Sequence, residues 1–264
     1  MAESVESFYD EFSRRFVDDV VEGNERVTQQ LDFFSRAVPP GAESILVIGS
    51  GSGQGAHHLA ARVAKRARVL ALDISAENLR LARALFAHPR VEYRKADVTR
   101  ERVEGRFDVI ALPDVYEHIP PEAREALHAR FNELLTDDGR ILFTIPSPGK
   151  QESLREAGHG LQVVDETITL ADLERVARDV GGELTYFNVV SIWEANDYAH
   201  AVVERRASRV RPIADSDRLP LKGWPRPTLV GRGLGALRHR LRLADLSKSL
   251  RRRRVMKRLG TNSA

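Results

Sequence analysis

The sequence predicts an α/β layered fold on a largely parallel sheet, and three observations predict it. Apolar runs of strand length recur along the chain, helical periodicity fills most of the gaps between them, and the first run passes directly into a glycine-rich turn. Strands that alternate with helices pair in parallel, because each crossover helix returns the chain to the same edge of the sheet.

The elements follow in order. Residues 1–37 read as helix, with Val5, Phe8, Phe12 and Phe16 at three- and four-residue spacing and Val27, Leu31 and Phe34 repeating it after Gly23-Asn24. Pro39-Pro40-Gly41 ends that segment. Ile45 to Ile48, Val69 to Leu72, Val91 to Tyr93, Phe107 to Leu112 and Ile141 to Ile145 are strand candidates; His57 to Arg66, Ala76 to Ala87 and Glu122 to Leu135 are the intervening helices. Leu170 to Val180 is a further helix. Glu183 to Ile192 and Ala199 to Glu204 are two more strands, placed to close the sheet with an antiparallel edge.

Composition narrows the function classes. Forty-two per cent hydrophobic and 30% charged residues are the balance of a globular protein, not of a disordered one. No window holds eighteen uninterrupted apolar residues, and Met1 to Glu6 is acidic without an apolar core, so a cytoplasmic protein is expected. The absence of cysteine excludes a thiol nucleophile, a thiolate metal site and a disulfide framework. The net charge of +3 hides an asymmetry: residues 222–264 carry 13 Lys and Arg against the single acid Asp245, leaving an excess of nine acids on residues 1–221. Beyond Glu204, four prolines and four glycines make a linker, and Leu234 to Leu259 interleaves leucine with arginine as a basic amphipathic helix. Three organisational units result: 1–43 as a helical lid, 44–205 as the α/β domain, and 206–264 as linker and basic tail.

The most informative segment is Ile45-Leu46-Val47-Ile48-Gly49-Ser50-Gly51-Ser52-Gly53-Gln54-Gly55. A strand that turns at once into a helix needs residues tolerant of positive φ and without side chains that would block a nucleotide-like cofactor at the open sheet edge. Asp73 ends the next strand, where a carboxylate can accept both ribose hydroxyls, and Asp97 follows the third, facing an adenine edge. Two cofactor classes use such a turn. In the frame Gly51-x-Gly53, Ala56 stands where the dinucleotide fingerprint wants its third small residue, so NAD stays open. None of the five tyrosines has a lysine four residues on, however, which removes the short-chain dehydrogenase pair.

Gly49-Ser50-Gly51-Ser52-Gly53, Asp73, Ala96-Asp97 and Phe107-Asp108-Val109-Ile110 with Tyr116-Glu117-His118-Ile119 resemble the class I S-adenosylmethionine-dependent methyltransferases. The likeness runs over about 45–205, is strongest to the ubiquinone-biosynthesis O-methyltransferase branch with its sugar-modifying relatives, and extends through the turn Leu135 to Ile141 into the fifth strand. It implies a doubly wound, mostly parallel seven-stranded Rossmann-like sheet with an N-terminal lid. It also implies S-adenosylmethionine bound by Gly49, Ser50, Gly51, Gly53, Asp73, Ile74, Asp97, Val98, Leu112 and Pro113, with Tyr9 in the lid. The family usually has Asp or Glu where Val47 stands, which leaves that contact to another residue or to backbone.

Methyl transfer from a sulfonium needs the acceptor aligned and, for a hydroxyl, its proton removed. His118 is the expected general base, since neutral imidazole accepts a proton near pH 7; the alternative is that it only packs or caps a helix. Asp114, Glu117 and His118 would share one face of a helix and, with His159, could hold a divalent cation such as Mg²⁺; the alternative is a solvated helix start. The acceptor is expected to be a small-molecule or saccharide hydroxyl. N- or C-methylation stands second, and an NAD-linked oxidoreductase or a non-catalytic cofactor-binding module lies outside the class. For the basic tail an anionic membrane surface or a protein partner is expected. Nucleic acid is disfavoured by the acidic body and by the lack of aromatics beside the arginines.

Overall fold

The computed structural model describes residues 16–39, 41–158, 164–205 and 243–260. Seven strands, β1 (Ser44–Ile48), β2 (Arg68–Asp73), β3 (Val91–Lys95), β4 (Phe107–Pro113), β5 (Leu135–Pro146), β6 (Gly182–Val190) and β7 (Tyr198–Arg205), form one sheet in the order 3-2-1-4-5-7-6. The first five are parallel, and β7 runs antiparallel between β5 and β6, giving the expected antiparallel edge. The strand order reverses between β1 and β4, so their carboxyl ends flank the crevice where an open α/β sheet binds ligands.

Helices cover both faces. These are α1 (residues 16–22), α2 (Glu25–Ala37), α3 (Gln54–His58, continued by a π-helical turn Leu59–Val63), α4 (Ala76–Phe86), α5 (Pro121–Leu134), α6 (Pro148–Ala157), α7 (Leu170–Asp179) and α8 (Leu243–Arg258). Successive strand residues point to opposite faces, so a strand covered on both sides must be apolar throughout. β1 illustrates this. Leu46 and Ile48 join Ile110, Leu112, Phe131, Phe143 and Leu173 in the core beneath α5 and α7. Ile45 and Val47 join Phe34, Leu59, Leu79 and Ala111 in the core beneath α2, α3 and α4. Val47 is 1% exposed, an apolar core residue with no access to a ligand.

The structure departs from the sequence expectation at several places, among them the helix expected over His57 to Arg66, which starts at Gln54 and ends in the π-helical turn at Val63. Leu135 to Gly139, expected as a turn, begins the strand: Leu135 pairs with Phe107, the next partners are Arg140 and Val109, and the residues between bulge outward. Asp108 steadies that bulge by accepting from Thr136 Oγ1 at 3.2 Å and from the amides of Glu43 and Ser44 at 2.8 and 3.0 Å. α6 was not foreseen; Ser147 caps it through the Lys150 amide at 3.2 Å, with Pro148 in the first turn. The strand expected to reach Ile192 stops at Val190. Asp197 there accepts from the amides of Ile192, Trp193 and Glu194 at 2.7, 3.0 and 3.1 Å, which holds its carboxyl below the usual range.

The basic tail ends in a helix that packs on the domain. Val255 of α8 is buried against Val21 of α1 and Leu85 of α4, Lys248 Nζ meets Glu22 Oε2 at 2.5 Å, and Arg258 donates to the Leu85 carbonyl at 2.7 Å. Arg251, Arg252, Arg253 and Arg254 are exposed. Among the described residues no helix is long and apolar enough to cross a membrane.

Candidate active site at the carboxyl ends of β1, β2, β4 and β5

The glycine turn folds as it does largely because of its protein neighbours. Gly49, Gly51 and Gly53 have φ of 75°, 51° and 85°, in the left-handed region that side chains resist. A Cβ on Gly49 would lie 2.2 Å from Val115 Cγ2, and one on Gly53 would lie 2.7 Å from both Ala82 Cβ and the Tyr93 hydroxyl. Phe16 of α1 stands over Gly51, 3.2 Å from where its Cβ would be. The amides of Gly49 and Ser50 both donate to the Leu72 carbonyl, at 2.9 and 2.8 Å, which ties the turn to β2.

Asp73 completes this half. It is 7% exposed; Oδ2 accepts from the Gly51 amide at 2.8 Å, and Oδ1 accepts from the Ser75 amide at 2.9 Å and from Asn78 Nδ2 at 3.2 Å. Asp97 is half-buried at the end of β3, where its Oδ1 accepts from the Thr99 amide and hydroxyl at 2.9 and 2.5 Å. Ile74 is half-buried and Val98 buried beside them. The Ser50 hydroxyl, inside the glycine turn, is buried with no partner among the described residues, and so is Asn78 Oδ1. Open hydrogen-bonding capacity inside a turn with no blocking side chains suits a polar ribose and amino-acid ligand.

The other half lies where β4 and β5 end. Leu112 is fully buried in the core, so only its backbone can face the crevice, and Pro113 after it is half-buried. Asp114 follows with a φ of 51°, its amide still donating to the Thr144 carbonyl of β5 at 2.9 Å. Its carboxylate is ion-paired with Arg26 of α2, and Gln30 Nε2 lies 3.4 Å from Asp114 Oδ2 and 3.0 Å from Thr144 Oγ1. α2 therefore crosses the ends of β4 and β5.

A 3₁₀ turn, Tyr116–His118, comes next. Tyr116 anchors it: the hydroxyl donates to His128 Nε2 at 2.7 Å, His128 Nδ1 donates to Asp179 Oδ2 at 2.6 Å, and the Arg124 guanidinium stacks 5.2 Å above the tyrosine ring. Glu117 is 1% exposed, and burial pushes its carboxyl up to about 8, so it is neutral at pH 7. His118 Nδ1 donates to the Val164 carbonyl at 2.7 Å, which makes Nε2 the basic nitrogen, 3.8 Å from Glu117 Oε1. Burial lowers the His118 pKa, so the ring is neutral near pH 7. The Glu166 amide donates to the Glu117 carbonyl at 2.9 Å, fastening the chain after residue 163 onto this turn.

The expected helical face is corrected. Asp114 has left-handed backbone, precedes the 3₁₀ turn and is committed to Arg26, so Asp114, Glu117 and His118 do not line up at helical spacing. Among the described residues no three His, Asp or Glu side chains are placed to hold a metal ion. His159 and Tyr9 lie outside the described residues. Sequence reasoning missed Arg26, Gln30, Gln151 and Asp165. Gln30 left a trace, a polar residue on the apolar stripe of Val27 and Phe34; Arg26 and Asp165 left none.

Residues 45–139 match the family model of a methyltransferase domain. Comparison with curated proteins finds no match. Among solved structures, a TehB-like SAM-dependent methyltransferase from Corynebacterium glutamicum is 20% identical, with 76% of this chain and 99% of that one covered at a TM-score of 0.56. DhpI in complex with SAH is 19% identical, with coverage of 75% and 93% and a TM-score of 0.57. Magnesium protoporphyrin IX methyltransferase from Synechocystis with bound SAH is also 19% identical, with coverage of 71% and 86% and a TM-score of 0.54. These likenesses speak for the fold. The family match speaks for the segment from β1 into the start of β5, which carries a methyltransferase domain on this Rossmann-like fold.

Proposed function

We propose that this enzyme O-methylates a small molecule or saccharide, within the branch of the ubiquinone-biosynthesis O-methyltransferases, with His118 as general base. The observation that carries the reading is the pairing of two sites across the crevice: Asp73, locked to the glycine turn at the end of β2, and His118, with its tautomer set by Val164, beyond the end of β4. Gly49, Ser50, Gly51, Gly53, Asp73, Ile74, Asp97, Val98 and the backbone of Leu112 and Pro113 would hold S-adenosylmethionine, which supplies an electrophilic methyl group when bound. Asp73 accepts the ribose hydroxyls, and His118 Nε2 takes the proton of the acceptor hydroxyl as it attacks. The buried turn keeps bulk water from that nitrogen.

Calorimetry with S-adenosylhomocysteine and NAD tests the cofactor; heat with NAD and none with S-adenosylhomocysteine would reverse the assignment. His118→Ala is expected to cut turnover by about tenfold or more with cofactor affinity intact, and unchanged turnover removes it as the base. The units 1–43, 44–205 and 206–264 divide the work as lid, catalytic domain and docking tail. The tail engages an anionic membrane surface through Arg251, Arg252, Arg253 and Arg254, which are exposed on α8. Anionic vesicles should sediment the protein and lose it when these four become alanine; sedimentation that survives the change refutes the docking role.

A further inference from the structure

α8 packs on two helices that both reach the glycine turn. Val17, Val20 and Val21 of α1 belong to a small apolar cluster. Its other members among the described residues are Leu85 and Phe86 of α4 and Val255 and Leu259 of α8. None of these is a strand residue, so the cluster stands apart from the two cores on the sheet. Polar contacts bind α8 to the same two helices: Lys248 meets Glu22 of α1 at 2.5 Å, and Arg258 donates to the Leu85 carbonyl at 2.7 Å.

From this cluster the contacts run into the cofactor turn by two routes. Along α1, Phe16 precedes Val17, and its Cζ and Cε1 lie 3.2 and 3.3 Å from where a Gly51 Cβ would be. The Gly51 amide in turn donates to Asp73 Oδ2 at 2.8 Å. Along α4, the Phe86 carbonyl lies 3.0 Å from the Tyr93 hydroxyl, which is 3.2 Å from the Gly53 carbonyl. At the start of α4, Asn78 Nδ2 donates to Asp73 Oδ1 at 3.2 Å. A ring laid against a side-chain-free turn restricts it and shields it from water, and a site ordered in advance binds more tightly than one ordered by its ligand.

We infer that α8 braces the cofactor site: by seating α1 it holds Phe16 against Gly51, so the C-terminal helix sets the affinity for S-adenosylmethionine. This rests on the cofactor assignment above and adds a positioning residue, Val255, which lies 204 positions from Gly51 and acts through Val21 and Phe16. Without the brace, α1 must be ordered when the cofactor binds, and that cost is subtracted from affinity. Linkage makes the effect reciprocal, so bound cofactor must in turn tighten the seating of α8.

The test uses the full chain and two matched substitutions on one helix. Val255 is 7% exposed and Leu250 is 52% exposed, so Val255→Asp puts a carboxylate into the cluster and Leu250→Asp puts one into water. Calorimetry should show S-adenosylhomocysteine binding about fivefold or more weaker in Val255→Asp, the lower end of usual coupling between sites, and unchanged in Leu250→Asp. Phe16→Ala should reproduce the loss, and the double variant with Val255→Asp should bind no more weakly than Phe16→Ala alone, since both remove one contact. Melting curves report whether each variant is folded. Hydrogen exchange on the wild type needs no variant: S-adenosylhomocysteine should slow exchange over Val255 to Leu259, where the Leu259 amide donates to the Val255 carbonyl at 3.0 Å. Unchanged affinity in Val255→Asp, equal losses in Val255→Asp and Leu250→Asp, additive losses in the double variant, or exchange indifferent to the ligand would each overturn the inference. If S-adenosylhomocysteine does not bind the wild type, the cofactor assignment itself falls, and the brace with it.

Discussion

The two halves of the crevice treat buried polarity in opposite ways. At the end of β2, the Asp73 carboxylate receives three donors from its own chain, the Gly51 and Ser75 amides and Asn78 Nδ2. Its unpartnered neighbours, Ser50 Oγ and Asn78 Oδ1, are neutral. At the end of β4, Asp114 and Glu117 each keep a buried carboxyl oxygen without a partner among the described residues, and Gln151 adds a third. The first half is organised by its own chain; the second keeps buried acceptors open among the described residues. A cofactor common to many enzymes suits a rigid cradle, while an acceptor that differs from enzyme to enzyme suits groups left open for it.

The change that strikes hardest at this contrast sits where the halves touch. Gly49 belongs to the glycine turn, yet the space beside it is taken by Val115, just beyond Asp114. Gly49→Ala meets both a φ of 75° and a Cβ contact of 2.2 Å, so the turn and the β4 exit must move apart. A loss of about 3 kcal/mol is expected from backbone strain and overpacking together, with weaker S-adenosylhomocysteine binding. Thermal melting and calorimetry measure both. A variant that melts and binds like the parent would mean the halves are not mechanically joined there.

A second prediction separates the halves by pH. The Glu117 carboxyl lies at about 8 in the fold against an ordinary 4.5, so the folded protein holds that proton more tightly than the unfolded chain does. The stability it contributes is fully present below the ordinary value and is lost as pH rises through about 8. Wild-type melting temperature should therefore fall between pH 5 and 8, with a shallower fall in Glu117→Gln, which cannot ionise. An identical slope in both proteins would assign the dependence elsewhere.

What was legible in the sequence follows the same divide. Ile45 to Ile48, the three glycines, Asp73 and Asp97 are neighbours in the chain or one βα unit apart, so local pattern finds them. The seven-strand sheet was legible for a related reason: strands covered on both faces read as uninterrupted apolar runs. The half at the end of β4 was not. Arg26 and Asp114 are 88 positions apart, and Gln151 meets Asp165 across a stretch with no periodicity. The i, i+3, i+4 reading of Asp114, Glu117 and His118 failed because a residue with left-handed backbone and an ion pair to α2 breaks the helical spacing it assumed. Charge composition pointed to a basic C-terminal helix but could not say that Val255 anchors it against α1 and α4.

That anchor carries the smallest effects expected. Val255 is 7% exposed between Val21 and Leu85, so Val255→Ala uncovers two methyl groups' worth of apolar surface, roughly 1.5 kcal/mol at about 0.8 for each. Lys248 reaches Glu22 at 2.5 Å, but both side chains are about half exposed, at 43% and 52%, and such pairs are screened by water and salt. Lys248→Ala should leave the melting temperature where it was. The two variants thus separate apolar packing from surface charge as the force that seats α8. If Lys248→Ala costs as much as Val255→Ala, the helix is held electrostatically, and raising the salt concentration should release it from α1, on which Phe16 stands over Gly51.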